Sequence, residues 1–243
     1  MPEAADYRRG PDLWERIDSK MKTPAVLFLI IIGFFSLVTQ QSVTAQDAGN
    51  GTELFNHKDF TGWKFFMRTN ADPMNTWSIS NGMIHCTGRP NGYMYTEQTY
   101  HDFKVTVEWR FPQVTVKPVN TGVLVFMHDR DPNVGPKVIW PFCVECQGMH
   151  DHMGDFWLHG GITCNEPTNL PHGGIKMLLP SNESPVGDWT TYTAICRSNT
   201  VEIVVNGKSM NKITGVNEST GYIGIQSEGG PFDLRKVYLE PLD

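Results

Sequence analysis

At 243 residues the chain has room for one large domain or two small ones. A formal charge of −6, from 20 Lys and Arg against 26 Asp and Glu, leaves no basic stripe for a phosphate backbone and excludes a nucleic-acid partner. Forty per cent hydrophobic residues, with 23 Gly and 16 Pro, describe a turn-rich globular protein. Residues 1–20 (MPEAADYRRGPDLWERIDSK) read as a polar extension, and Met21 is an alternative start. Lys22 then precedes an apolar run from Ala25 to Val38, and Val43 and Ala45 supply small residues for a cut after Ala45. The run is shorter than the ~20 residues a bilayer crossing needs. Residues 21–45 are therefore expected to be the signal peptide of an exported protein, periplasmic or extracellular. Only an uncleaved signal would hold it at a membrane.

Residues 46–52 read as a linker, and from residue 53 to 243 the pattern has period two rather than 3.6. In DFKVTVEWRF, Phe103, Val105, Val107, Trp109 and Phe111 alternate with Lys104, Thr106, Glu108 and Arg110. Further strand-like runs are TWSISNGMIHC, TGVLVFMH, FCVECQGM, WTTYTAICR, TVEIVVNGK, GYIGIQSE and FDLRKVYLEPL. Turn signals at Ser80-Asn81-Gly82, Asn91-Gly92, Asn206-Gly207 and Gly229-Gly230-Pro231 separate them. The run TVEIVVNGKSMNKITG predicts a hairpin closed at Asn206-Gly207. No segment after the signal carries a helical stripe, so the fold class is all-β, a sandwich or barrel in one domain.

The densest stretch is WPFCVECQGMHDHMGDFWLHGG, residues 140–161. Cys143 and Cys146 have C-x-x-C spacing, which suits redox or zinc chemistry. In a strand, however, residues three apart face opposite ways. With Cys86, Cys164 and Cys196 the count is odd, so all five cannot pair and buried free thiols are expected. With Val144 and Cys146 inward, Cys143, Glu145 and Gln147 share the other face. Alternation likewise joins Gln226 to Glu228 and Glu108 to Arg110. Carboxylates and amides beside tryptophans suit a carbohydrate groove; the alternative is a solvated outer sheet face. His150 and His152 could chelate a metal, or could be exposed loop residues.

Several segments in order resemble the bacterial 3-keto-disaccharide hydrolase (3-keto-glucoside hydrolase) family. They are ELFNHKDFTGWK (53–64), WSISNGMIHCTG (77–88), YHDFKVTVEWRF (100–111), NTGVLVF (120–126), the 140–161 stretch, VGDWTTYTAICRSNTVEIVVNG, and GYIGIQSEGGPFDLRKVYLEPL (221–242). The resemblance implies a concanavalin-A-like jelly roll of two antiparallel sheets with a groove on the concave one. It also implies exported enzymes acting on sugars whose 3-hydroxyl has been oxidised. Glu145 and Gln147 match the family's Glu-x-Gln, and Gly154-Asp155-Phe156-Trp157 its Gly-Asp-Phe-Trp. Asp155 then holds a turn or reaches the groove, and Trp157 floors a sugar subsite or packs in the core. Many members carry His or Arg where this chain has Phe126, and His128, two residues on, is expected to compensate from the same face.

On this reading a carboxylate removes the C2 proton beside the C3 ketone, the enolate expels the C1 group, and water adds back. Such a route needs a base, an oxyanion stabiliser and an acid. Glu145 is the expected base, Arg110 or a divalent metal ion the stabiliser, and His128 or Glu228 the acid. Glu108, Arg110, Asn120, Gln147, Asp155, Trp157, His159 and Gln226 are the expected substrate-binding residues. No cofactor is specified beyond that ion, and the partner is a small carbohydrate. Two alternatives stand beside it: direct hydrolysis of an unoxidised glycoside by a pair among Glu108, Glu145 and Glu228, and a lectin-like carbohydrate-binding module.

Overall fold

The computed structural model describes residues 51–113, 119–131, 133 and 138–243. The expected polar extension, the expected signal peptide and most of the expected linker lie outside them. Among the described residues, helix is limited to three short 3-10 turns, and no helix is long and apolar enough to cross a membrane. The strands are β1 (Thr52–Glu53), β2 (Trp63–Met67), β3 (Trp77–Ser80), β4 (Met83–Cys86), β5 (Gly92–Thr96), β6 (Tyr100–His101), β7 (Phe103–Arg110) and β8 (Gly122–Met127). There follow β9 (Cys143–Gln147), β10 (Phe156–His159), β11 (Gly174–Ile175), β12 (Thr190–Arg197), β13 (Thr200–Val205), β14 (Lys208–Ile213), β15 (Thr220–Ser227) and β16 (Phe232–Pro241).

These strands form two antiparallel sheets. One runs β14-β13-β12-β7-β16-β4-β3 with β1 added beside β16. The other runs β11-β10-β9-β8-β15-β5-β2 with β6 beside β15. Two of the expected turns close hairpins: Asn81-Gly82 between β3 and β4, and Asn206-Gly207 between β13 and β14. Both pairs have positive φ throughout (51° and 70°, 47° and 77°), the conformation that matches the twist of the flanking strands.

The sheets pack face to face. Val105, Val107, Trp109, Tyr192, Ala194 and Val237 from the first meet Val123, Val125, Val144, Cys146, Ile223 and Ile225 from the second. On β7 the alternation appears directly, buried residues at 103, 105, 107 and 109 and half-buried ones between. By contrast β8 and β9 are buried at every position. The second sheet covers its outer face with a smaller cluster of Tyr93, Leu124, Met127 and Cys143, against which Trp140 and Tyr222 pack.

Strand β8 breaks strict alternation at Phe126. Its φ of 52° makes a bulge, and the pairing with β15 shifts there between Tyr222 and Gly224. Val125 and Phe126 both therefore point into the sandwich, where Phe126 meets Phe103 edge-on at 6.4 Å. His128 consequently does not share a groove face with a residue at 126. Its ring lies against Phe142 and its Nε2 bonds Glu218 at 2.7 Å.

All five cysteines are free, and all except Cys164 are buried. Cys143 and Cys146 face opposite sides of the second sheet, one in each cluster. Burial pushes both thiols well above their ordinary range, so neither is a ready thiolate.

Candidate active-site cleft

Register across the second sheet gathers the polar residues. Trp157 on β10 stands opposite Glu145 on β9, and Gln147 stands opposite Gly122 on β8. On β15, Gln226 is opposite Tyr93 of β5, and just past the strand Glu228 bridges to Asn120. Since alternate residues share a face, Glu145, Gln147, Gln226 and Glu228 converge on the outer side of this sheet. Gly122 is needed between them, because a Cβ there would lie 2.8 Å from the Gln226 Oε1.

A cleft of about 360 Å³ opens over this surface, lined by Asn120, Trp140, Glu145, Gln147, Met149, Trp157, His159, His172 and Glu228. Glu145 is only 3% exposed, yet its charge is well bonded. His159 Nε2 lies 2.6 Å from its Oε2, and the Gln147 Nε2 donates to its Oε1 at 3.0 Å. Gln147 is held in turn by the Met149 N–H, which donates to its Oε1 at 2.9 Å. Trp157 packs against Gly174, where a Cβ would come 2.9 Å from the indole Cε2. Trp140 sits across from it, its ring 6.2 Å from that of His159.

Glu228 has a different environment. Asn120 donates to its Oε2 at 2.9 Å and Asn91 to its Oε1 at 3.4 Å, both neutral amides. Burial, and after it the charge of Glu145, pushes its carboxyl up to about 7. The cleft thus pairs one carboxyl that bonds a histidine with another that keeps its proton close to neutrality. Such a split is how neighbouring carboxyls come to serve as base and acid. Beneath them Gln226 is fully buried, and neither its Nε2 nor its Oε1 has a partner among the described residues.

Six of the residues expected from the sequence line this cleft: Glu145, Glu228, Asn120, Gln147, Trp157 and His159. Gln226 lies under it rather than in its wall. Four others are elsewhere. Glu108 and Arg110 are on β7, in the opposite sheet, where Glu108 bonds Arg235 at 2.6 Å and Arg110 bonds Asp233 at 2.8 Å. Alternation correctly gave them a common face, but only the sheet order shows that it is the outer face of the wrong sheet. Asp155 is 1% exposed, accepting from the Met177 N–H at 2.7 Å and lying 3.1 Å from His152 Nδ1, so it holds the loop. His128 is tied to Glu218 as described. Trp140, Met149 and His172 also line the cleft, but they reach it from segments outside the strands, which carry no periodic signal.

A larger hollow of about 970 Å³ lies between His150–His152 and the 176–186 segment. Its His150, Asp151 and Glu183 bring one ligand atom each within 4.8 Å of one another, the converging set of potential metal ligands among the described residues. His152 turns instead to Asp155, so His150 and His152 do not act as a pair.

The 3-keto-alpha-glucoside-1,2-lyase-like domain model matches residues 50–240. The chain belongs to this family. A candidate glycosyl hydrolase of Parabacteroides distasonis ATCC 8503 is similar in structure, with a TM-score of 0.56 and 21% identity over 79% of this chain and 94% of that one. The carbohydrate binding module CBM66 of Bacillus subtilis gives 0.52 and 9% identity, covering 75% and 97% of the two chains. The Emp47p carbohydrate recognition domain gives 0.53 and 15%, covering 81% and 97%. At these identities the likeness shows a common jelly-roll, lectin-like sandwich. A comparison with curated proteins returned no match. The family's description makes it a carbohydrate-acting family, and the chain belongs there.

Proposed function

We propose that the protein cleaves 3-keto-glucosides or 3-keto-disaccharides by elimination followed by hydration. The observation that carries this reading is the unequal carboxyl pair, Glu145 against Glu228, in a tryptophan-walled cleft. Oxidation at C3 makes the C2 proton acidic, being α to a carbonyl. Glu145 removes it, and the electron pair of the C2–H bond moves to form the enolate. As the C1–O bond breaks, that pair becomes the C1–C2 double bond, and the leaving oxygen takes the proton of Glu228. Water then adds its oxygen to C1 and a proton to C2, giving the free 3-keto sugar.

His159 orients Glu145 through their 2.6 Å contact, and Trp140 and Trp157 offer apolar faces for the C–H sides of the sugar. Arg110, the stabiliser suggested by the sequence, stands on the other sheet. His159, His172 and the Asn120 amide are among the side-chain donors that line the cleft and can face the enolate oxygen. Export through a signal at 21–45 belongs to the same proposal.

The test uses residues 46–243 and a chromogenic glucoside, native and oxidised at C3. Release from the oxidised sugar alone, lost in Glu145→Gln, supports elimination. Equal release from the native glucoside would favour direct hydrolysis by the same two carboxyls. Tight sugar binding with no release from either would make the protein a carbohydrate-binding module.

A further inference from the structure

The turn after β9 breaks the alternation that serves the cleft. In an extended strand His150 and Asp151 would face opposite ways. Asp151 instead takes a φ of 68°, and the His152 N–H closes the turn on the Met149 carbonyl at 2.8 Å. Both side chains line the hollow of about 970 Å³, with Glu183 joining them from the 176–186 segment. Among the described residues, none that lines this hollow also lines the cleft. Glu183 is the unusual member, its side chain only 9% exposed. Its Oε1 meets His150 Nδ1 at 3.0 Å and accepts from the Asp151 N–H at 2.6 Å. Its Oε2 has no partner among the described residues, and no lysine or arginine there pairs with Glu183 or Asp151. Lys176 stands on the wall of the hollow without bonding either carboxylate. Ser181 lies on the same wall, and its buried Oγ also lacks a partner among the described residues. Burying such groups is costly until a donor or a cation answers them.

We propose that the hollow binds a divalent metal ion of the zinc class through one ring nitrogen of His150 and the carboxylates of Asp151 and Glu183. The site stands apart from the carboxyl pair of the cleft and does not depend on the function proposed above. One ligand atom from each of the three residues lies within 4.8 Å of the others. Atoms bound to a single zinc ion at about 2.1 Å stand roughly 3–4 Å apart. The Asp151 side chain is 74% exposed, so it can swing inward to close that difference. Two carboxylates beside one histidine leave a net negative charge for the ion to neutralise. An imidazole among the ligands suits zinc and disfavours calcium, which takes roughly six to eight oxygens. The ion's work is to brace the loop. Residues 176–189 join β11 to β12 without strand or helix, and Leu178, Leu179 and Val186 among them are 77%, 38% and 45% exposed. A segment that buries so little apolar surface gains from a bond across the hollow to the turn that leads into β10.

The experiment strips the full chain with a chelator, dialyses it, and titrates it with zinc chloride against a chromogenic competitor. Wild type is expected to bind one equivalent, and Glu183→Gln and Asp151→Asn to weaken that binding at least tenfold. Asp151→Asn keeps the test sound should Glu183→Gln fail to fold, because the side chain it alters is mostly exposed. His152→Ala is the control: His152 bonds Asp155 instead, and its loss should leave the affinity within about twofold. Zinc at about a hundredfold above Kd should raise the melting temperature of wild type by about 5–10 °C and that of Asp151→Asn far less. Calcium chloride should bind at least tenfold more weakly than zinc. No zinc bound by wild type, an unchanged affinity in Asp151→Asn, or a melting temperature that zinc does not move overturns the site. A loss in His152→Ala as large as in Asp151→Asn overturns the ligand set, and tighter binding of calcium overturns the class of ion.

Discussion

The two outer faces of this sandwich use nearly the same side chains to opposite ends. On the first sheet, Glu108, Arg110, Asp233 and Arg235 form a ladder of ion pairs, with the Trp189 ring beneath both guanidiniums at 4.7 and 4.3 Å. His85 joins at 2.7 Å from Asp233. Here each carboxylate faces a cation, and the arginines are 31% and 44% exposed. On the second sheet, no arginine or lysine among the described residues lines the cleft, and Glu228 answers the charge of Glu145 by holding its proton. Neutralised, wet charges make a stable surface of little reactivity. Two acids confined together, with only a histidine beside one of them, share the cost of their charge through protonation, and that makes them chemically useful.

Glu145→Gln should separate the faces most sharply. Turnover of a 3-keto glucoside is expected to fall by about 10²–10⁴-fold, while Glu108→Gln leaves it within about twofold. Comparable losses in both variants would erase the distinction. The pH profile comes next. Because Glu228 must be protonated to act as acid, turnover should decline as pH rises through about 7, and Glu228→Gln should lower the plateau and remove that limb.

The same residue sets a smaller effect on stability. A carboxyl raised in the folded state contributes stability that is complete below its ordinary 4.5 and lost as pH rises through about 7. The wild type should therefore lose about 3 kcal/mol between pH 4 and pH 8 from this group, and Glu228→Gln should not. Urea melts at the two pH values measure the gap. Asp155→Ala removes a buried acceptor of the Met177 N–H and is expected to cost about 1–3 kcal/mol in the same assay. Smallest of all, Arg110→Ala breaks a partly exposed pair and should cost about 1 kcal/mol or less, with turnover untouched. A large loss of turnover there would return Arg110 to the chemistry.

Much of this was legible in the chain. Period-two alternation gives the strands, Asn-Gly pairs mark two hairpins, and alternation within one strand correctly joins Glu145 to Gln147 and Gln226 to Glu228. These are local properties, since a residue's face depends on its neighbours two positions away. Sheet membership is not local. Glu108 and Arg110 alternate as cleanly as Glu145 and Gln147, yet β7 was placed in the other sheet by its pairing with β12 and β16. His128 was misplaced by one extra residue at Phe126, because a bulge reverses every face after it. Trp140 and His172 reach the cleft from loops whose course the tertiary packing alone decides. The sequence by itself determined which side chains travel together; the pairing of distant strands decided which of those groups meet, and so which carboxyl is brought beside another.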